Sequence, residues 1–177
     1  MTDPFVIPIL ETERLFLRGP DARDAEAVIA LLMSERAQFI GRKTTRAEAW
    51  RTFAMEIGHW TIHGFGLWAV TAKDDDRILG MVGPWYPEGW PEKEIGWSVM
   101  PQAEGRGIAH EAALAARDFA YGTLGWTTAV SYIDPRNTRS IRLAERLGAW
   151  LDPDAAHPDF GGDPCTIYRH PGPEALA

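Results

Sequence analysis

The sequence predicts a mixed α/β fold, with one mostly antiparallel sheet of about seven strands flanked by about four helices. Three observations carry the prediction. Runs of period-two alternation and runs of helical spacing follow one another in the order strand, two helices, three strands, helix, strand, helix, two strands. Three consecutive strands imply antiparallel hairpins, whereas the later strand–helix–strand run implies a parallel crossover, so a purely doubly wound sheet does not fit. A length of 177 residues suits one hydrophobic core, expected over about residues 10–170 of a single domain spanning 1–177.

Glu13 to Arg18 alternates around Leu15 and Leu17 as a first strand, ended by Gly19-Pro20. Asp21 is an N-cap for a helix through about Met33. A second helix starts near Thr45, with Ala47, Trp50, Ala54 and Ile57 forming the expected buried stripe and Gly64 closing it. Leu67 to Lys73 and Arg77 to Trp85 form a hairpin around the acidic turn Asp74-Asp75-Asp76. A Pro, Gly and Trp-rich turn leads to a strand from Glu94 to Met100, stopped by Pro101. The next helix, Gly107 to Tyr121, carries a small-residue face of Ala109, Ala112, Ala113, Ala116 and Ala120, which lets it lie close against a sheet. Trp126 to Ile133 is a strand, Asn137 to Leu147 a helix ended by Gly148, and Trp150-Leu151 and Cys165 to Arg169 are final short strands. Asp152 to Pro164 is too rich in Pro, Gly and Asp for either regular element.

Several function classes are disfavoured by bulk properties. A net charge of −7 argues against nonspecific binding to nucleic acid or to an anionic membrane, although a few arginines at one site can still act locally. No apolar run approaches a membrane span, and Met1 to Leu10 lacks a basic region and a small-residue cleavage site, so a cytoplasmic location is expected. The single cysteine, Cys165, cannot form an intrachain disulfide and reads as a small apolar residue of a late strand.

The chemistry concentrates in Gln102-Ala103-Glu104-Gly105-Arg106-Gly107-Ile108-Ala109, between a strand and a helix. Two glycines allow a tight turn and close backbone approach to a ligand. The first helical N–H groups lack intrahelical acceptors and sit at the positive end of the dipole, an anion site suited to a pyrophosphate, with Arg106 as a local cation. A plain strand-to-helix turn would also use glycine. A dinucleotide fingerprint fails because His110 stands at the third glycine position, and a P-loop fails because no Gly-Lys-Ser/Thr follows.

This segment resembles the Q/R-x-x-G-x-G/A signature of the GNAT acetyltransferase superfamily at Gln102, Gly105 and Gly107. Asn137-Thr138-Arg139-Ser140 followed by Glu145-Arg146-Leu147-Gly148 resembles the second family signature, and Gly107 to Ala112 is most similar to the RimJ/RimL-type branch. The resemblance implies a GNAT-type fold with a splayed parallel strand pair at an acetyl-CoA site, the strands here being Glu94 to Met100 and Trp126 to Ile133. It implies that Trp97, Ser98 and Val99 pair with pantetheine, that amides of Gly105, Arg106, Gly107, Ile108 and Ala109 hold the pyrophosphate, and that Asn137 touches the pantetheine arm.

The implied reaction is direct attack of a neutral amine, on a small molecule or a protein N-terminus, through a tetrahedral intermediate. Glu94 opens the strand leading to the acetyl site and is the candidate base, acting through water, the alternative being a solvated strand-end carboxylate. Many family members place a Tyr where this chain has Ala144, and Ser140 is the candidate for the leaving sulfur, or else a helix-capping hydroxyl. His59 and His63 share a helix face, but position 60 is not Glu and no third ligand is evident, so no metal is expected. His59 and Trp60 are instead expected to wall the acceptor pocket, as are Trp85, Tyr86 and Trp90, with core packing the alternative for the last three. Arg139 reads as a contact to coenzyme A phosphates or as an exposed helical Arg. A homodimer is expected by analogy, and a noncatalytic acyl-CoA-binding or sensing module is the second function class.

Overall fold

The computed structural model describes residues 6–176, so Met1 to Phe5 of the stretch read for a leader lie outside the described residues. Eight strands form one sheet: β1 (Leu10–Glu11), β2 (Leu15–Arg18), β3 (Trp68–Ala72), β4 (Asp75–Trp85), β5 (Glu94–Val99), β6 (Val130–Ile133), β7 (Trp150–Leu151) and β8 (Thr166–Arg169). Their spatial order is β1-β2-β3-β4-β5-β6-β8-β7. All neighbours are antiparallel except β5 and β6, as the strand–helix–strand run requires. The sequence reading missed β1, a two-residue edge strand too short to show alternation.

The helices are α1 (Ala25–Met33), α2 (Arg46–His63), α3 (Ile108–Gly122), α4 (Thr138–Arg146) and the short C-terminal α5 (Pro173–Leu176). Their ends follow local capping chemistry. Asp21 caps a 3-10 turn that runs into α1, and the Asp24 carboxylate answers from the third position to form a capping box. Thr45 and Glu48 form the same box at the start of α2, and Gly64 closes it in the left-handed conformation. Asn137 Oδ1 accepts from the Ser140 amide at the start of α4.

Alternation along the strands splits the core into two layers. Leu15, Leu17, Val70, Val82 and Ile95 face α3, whose Ala112, Ala113, Ala116 and Ala120 are fully buried against them. Ala69, Ile78 and Met81 face the other way, against Val28, Ile29 and Leu32 of α1 and Phe53 of α2. The buried stripe of α2 is Ala49, Phe53 and Trp60, a correction to the stripe read from sequence. Trp50 is 56% exposed, because apolar residues lie on several sides of this helix and packing against α1 and the sheet selects one. No helix among the described residues is long and apolar enough to cross a membrane.

Candidate active site

The turn between β5 and α3 holds Gly105 at φ 72° and Gly107 at φ 77°, a left-handed conformation that side-chain-bearing residues avoid. Gly107 is the N-cap of α3 and has no side chain with which to cap it. The first-turn amides therefore stay open to an external anion. A brace absent from the sequence reading fixes this turn. Arg14 donates through Nη1 to the Arg106 carbonyl at 3.1 Å and through Nε to Glu111 Oε2 at 2.6 Å, while Thr12 donates to Glu111 Oε1 at 2.6 Å. Glu111 sits one turn into α3, so the brace sets the helix end relative to the edge of the sheet.

A cavity of about 640 Å³ runs from this turn along β5 to the start of α4. It collects Trp97, Ser98, Val99, Gly105, Gly107, Ile108, Ala109, Asn137 and Ser140 from the residues singled out in the sequence. Arg36, Arg139 and Arg146 add positive charge to its wall, and Glu104 links the first two by ion pairs. The Ser140 hydroxyl accepts from Trp97 Nε1 at 3.2 Å and donates to no acceptor among the described residues. Asn137, rather than the Ser140 hydroxyl, caps α4, leaving the Ser140 proton directed by whatever enters the cavity.

The parallel strands separate next to this cavity. β5 and β6 pair at Glu94 and Val130, and the ladder goes no further. Past that pair the links run through side chains: the Tyr132 amide donates to the Glu94 carboxyl, and Ser131 donates to the Ile95 carbonyl at 2.7 Å. Its one proton being used, the hydroxyl accepts from His170 Nε2 at 2.9 Å, so that Nδ1 is the acceptor facing Arg117 Nη1 at 3.5 Å. Burial, then the neighbouring Arg117, pushes His170 down to about 3 and holds the ring neutral.

A second cavity, of about 430 Å³, lies beside the first, and Trp97 and Ser98 line both. Its walls include Trp85, Trp90, Glu94, Tyr132 and, from the irregular 152–164 loop, Phe160 and Asp163. Glu94 Oε2 accepts from Trp90 Nε1 at 2.7 Å and Oε1 accepts from the Tyr132 amide at 3.3 Å. Burial raises the Glu94 carboxyl to about 7 against the opposing pull of these two donors, which places a proton acceptor near neutrality at the cavity wall. Burial likewise pushes the Cys165 thiol on the same wall up to about 11, leaving it a poor nucleophile.

Other sequence candidates lie apart from the cavities. His59 and Trp60 are 3% and 1% exposed and belong to the core instead of an acceptor wall. His59 Nδ1 donates to the Phe65 carbonyl at 2.7 Å, Nε2 accepts from the Tyr86 amide at 3.2 Å, and the ring stacks between His63 and Trp85. Trp60 donates to the Leu67 carbonyl at 2.8 Å. Tyr86 is tied to His59 through its backbone and is not among the residues lining the second cavity. Gln102 and Arg106 are exposed and outside the first cavity, with Arg106 Nη1 turned back to the Gln102 carbonyl at 3.5 Å. Ala144 is fully buried against Ile133, Ala149 and Tyr168 and offers no polar group.

A family model described as an acetyltransferase (GNAT) domain matches residues 14–149, and the chain belongs to this acetyltransferase family. The solved acetyltransferase from Agrobacterium tumefaciens strain C58 is 35% identical, with a TM-score of 0.87 over 96% of this chain and 98% of that one. The uncharacterised protein YkkB of Bacillus subtilis strain 168 is 31% identical over 147 residues, which is 78% of this chain and 83% of YkkB. The ribosomal-protein-S5-alanine acetyltransferase from Vibrio fischeri shares the fold, with a TM-score of 0.71 over 95% of this chain and 98% of that one, at 18% identity.

Proposed function

We propose that this chain is an acetyl-CoA-dependent N-acetyltransferase of the RimJ/RimL type, acting in the cytoplasm as a single domain, with a homodimer as its assembly. One observation carries the reading: two cavities meet at Trp97 and Ser98, one ending in an open helix N-terminus and the other holding a carboxyl poised near neutrality. Acetyl-CoA supplies an activated thioester, from which an amine takes the acetyl group by direct attack through a tetrahedral intermediate. The residues that fit coenzyme A are the amides from Gly105 to Ala109 for its pyrophosphate, the extended backbone of Trp97 to Val99 for its pantetheine, and Asn137 beside that arm. Arg36, Arg139 and Arg146 supply charge for its phosphates.

Proton transfer is the work left to the chain's own side chains. Stripping the proton from an α-amino group at pH 7 costs about 1 kcal/mol, and from a lysine-like amine about 4.6 kcal/mol. Glu94, with its carboxyl raised to about 7, is matched to accept that proton at neutral pH. The Ser140 hydroxyl, held by Trp97 as an acceptor, is available to donate toward the departing sulfur, a role that Ala144 does not fill.

The test combines calorimetry of acetyl-CoA binding with thiol release across N-terminal peptides, diamines and polyamines, and amino acids. Binding plus turnover of at least one class is expected. Tight binding without turnover of any amine would favour the noncatalytic sensing module, and no heat of association would overturn the reading.

A further inference from the structure

The second cavity, which Glu94 lines, contains a feature that proton transfer does not use. Glu56 projects into it from α2, and its Oε2 is buried with no hydrogen-bond partner among the described residues. A carboxylate oxygen shut away from water without a donor is unfavourable, and natural structures rarely leave one so. Lys43, which also lines the cavity, attracts Glu56 through space but makes no ion pair with it. Burial outweighs that attraction and raises the Glu56 carboxyl to about 7.

The remaining charges of the cavity also favour a cation. Glu94 and Asp163 stand on its walls, and Asp134 is already neutralised by Arg136 at 2.5 Å. Against these acids stands Lys43. Apolar and aromatic side chains, Phe39, Trp90 and Phe160 among them, share the lining with the acids, and aromatic ring faces favour a positive charge or an alkyl chain over an anion.

We propose that this cavity selects acceptors with two cationic ends: the amine to be acetylated lies beside Glu94, and a distal ammonium or guanidinium, carried on an apolar spacer, pairs with the unpartnered oxygen of Glu56. The proposal rests on the acetyl-transfer reading above. Glu56 is the specificity-determining residue, since it is the distal charge, and not the reacting nitrogen, that it recognises. A mono-amine of equal length leaves the Glu56 oxygen as it stands and gains nothing from it.

The experiment compares 1,5-diaminopentane with n-pentylamine as acceptors for the wild type and for Glu56→Gln and Glu56→Leu, alongside calorimetry of 1,5-diaminopentane without acetyl donor. The wild type is expected to prefer the diamine by about tenfold or more in kcat/KM, as a charge-assisted pair gives, and both variants should bring the ratio near one. Equal rates on the two acceptors in the wild type, or a preference that survives in both variants, would overturn the proposal while leaving acetyl transfer standing. If no amine is turned over but the diamine binds in a Glu56-dependent way, the acetyl-transfer reading fails and the cation site stands. A diamine that neither binds nor reacts overturns the proposal independently of the variants.

Discussion

Replacing Glu94 by Gln should make the protein slower and, above neutral pH, more stable. The Glu94 carboxyl sits near 7 when folded against an ordinary 4.5, so the folded state holds its proton over a range where the unfolded chain has lost it. Stability is therefore unaffected below about 4.5, declines as pH rises through about 7, and above that is lower by roughly 3 kcal/mol. Glutamine carries no charge to desolvate. It keeps one oxygen to accept from Trp90 or from the Tyr132 amide but not both, which returns about 1 kcal/mol of the gain. A net stabilisation of roughly 1–2 kcal/mol at pH 8, absent at pH 4.5, is expected from urea titrations at the two pH values. The same variant should lose about a hundredfold or more in kcat/KM at pH 7, together with the rise in rate through pH 7 that ionisation of the base produces. An unaltered pH–rate profile would remove Glu94 from proton transfer, and an unaltered pH dependence of stability would refute the burial argument itself.

Ser140→Ala should lower kcat by about tenfold while leaving KM for the donor nearly unchanged, and full turnover would exclude a role for the hydroxyl at the leaving sulfur. Gly107→Ala forces a side chain into the left-handed region and brings its Cβ to 3.3 Å from Arg14 Nη2, so acetyl-CoA affinity measured by calorimetry should fall by about tenfold. Ser131→Ala leaves the Ile95 carbonyl and the His170 N–H without their partner, and a loss of about 1–3 kcal/mol is expected in urea unfolding.

What was legible in the sequence was mostly what neighbouring residues decide together. Asp21 caps its helical turn as read, and Thr45 and Asn137 stand at the helix starts read for them, because a cap needs only a short side chain and amides two or three residues away. The small-residue face of α3 and the parallel crossover were legible for the same reason, each being a pattern over a short window. The buried side of α2 was not, since its apolar residues leave more than one stripe open and only the neighbours choose. Nor was the Arg14–Glu111 brace, whose partners lie 97 residues apart. Glu94 was singled out from its place at the start of a strand, but its environment depends on Trp90 and Tyr132 closing over it from a turn and from the next strand. His59 was expected on the acceptor wall from the place of its helix in similar proteins, whereas the groups that occupy it, the Phe65 carbonyl and the Tyr86 amide, lie on either side of the β3–β4 hairpin.

The one-rung junction between β5 and β6 divides the sheet into two plates that meet on a narrow hinge. Five strands lie on one side and three on the other, with the Ser131 hydroxyl and the Glu94 carboxyl as the pins. An extended guest lying in the gap would be gripped by both plates, so its arrival should stiffen the joint as well as fill it. Amide exchange at Trp97 to Val99 and at Tyr132 to Ile133 would then slow in concert, and the molecule would report its cargo through its own rigidity.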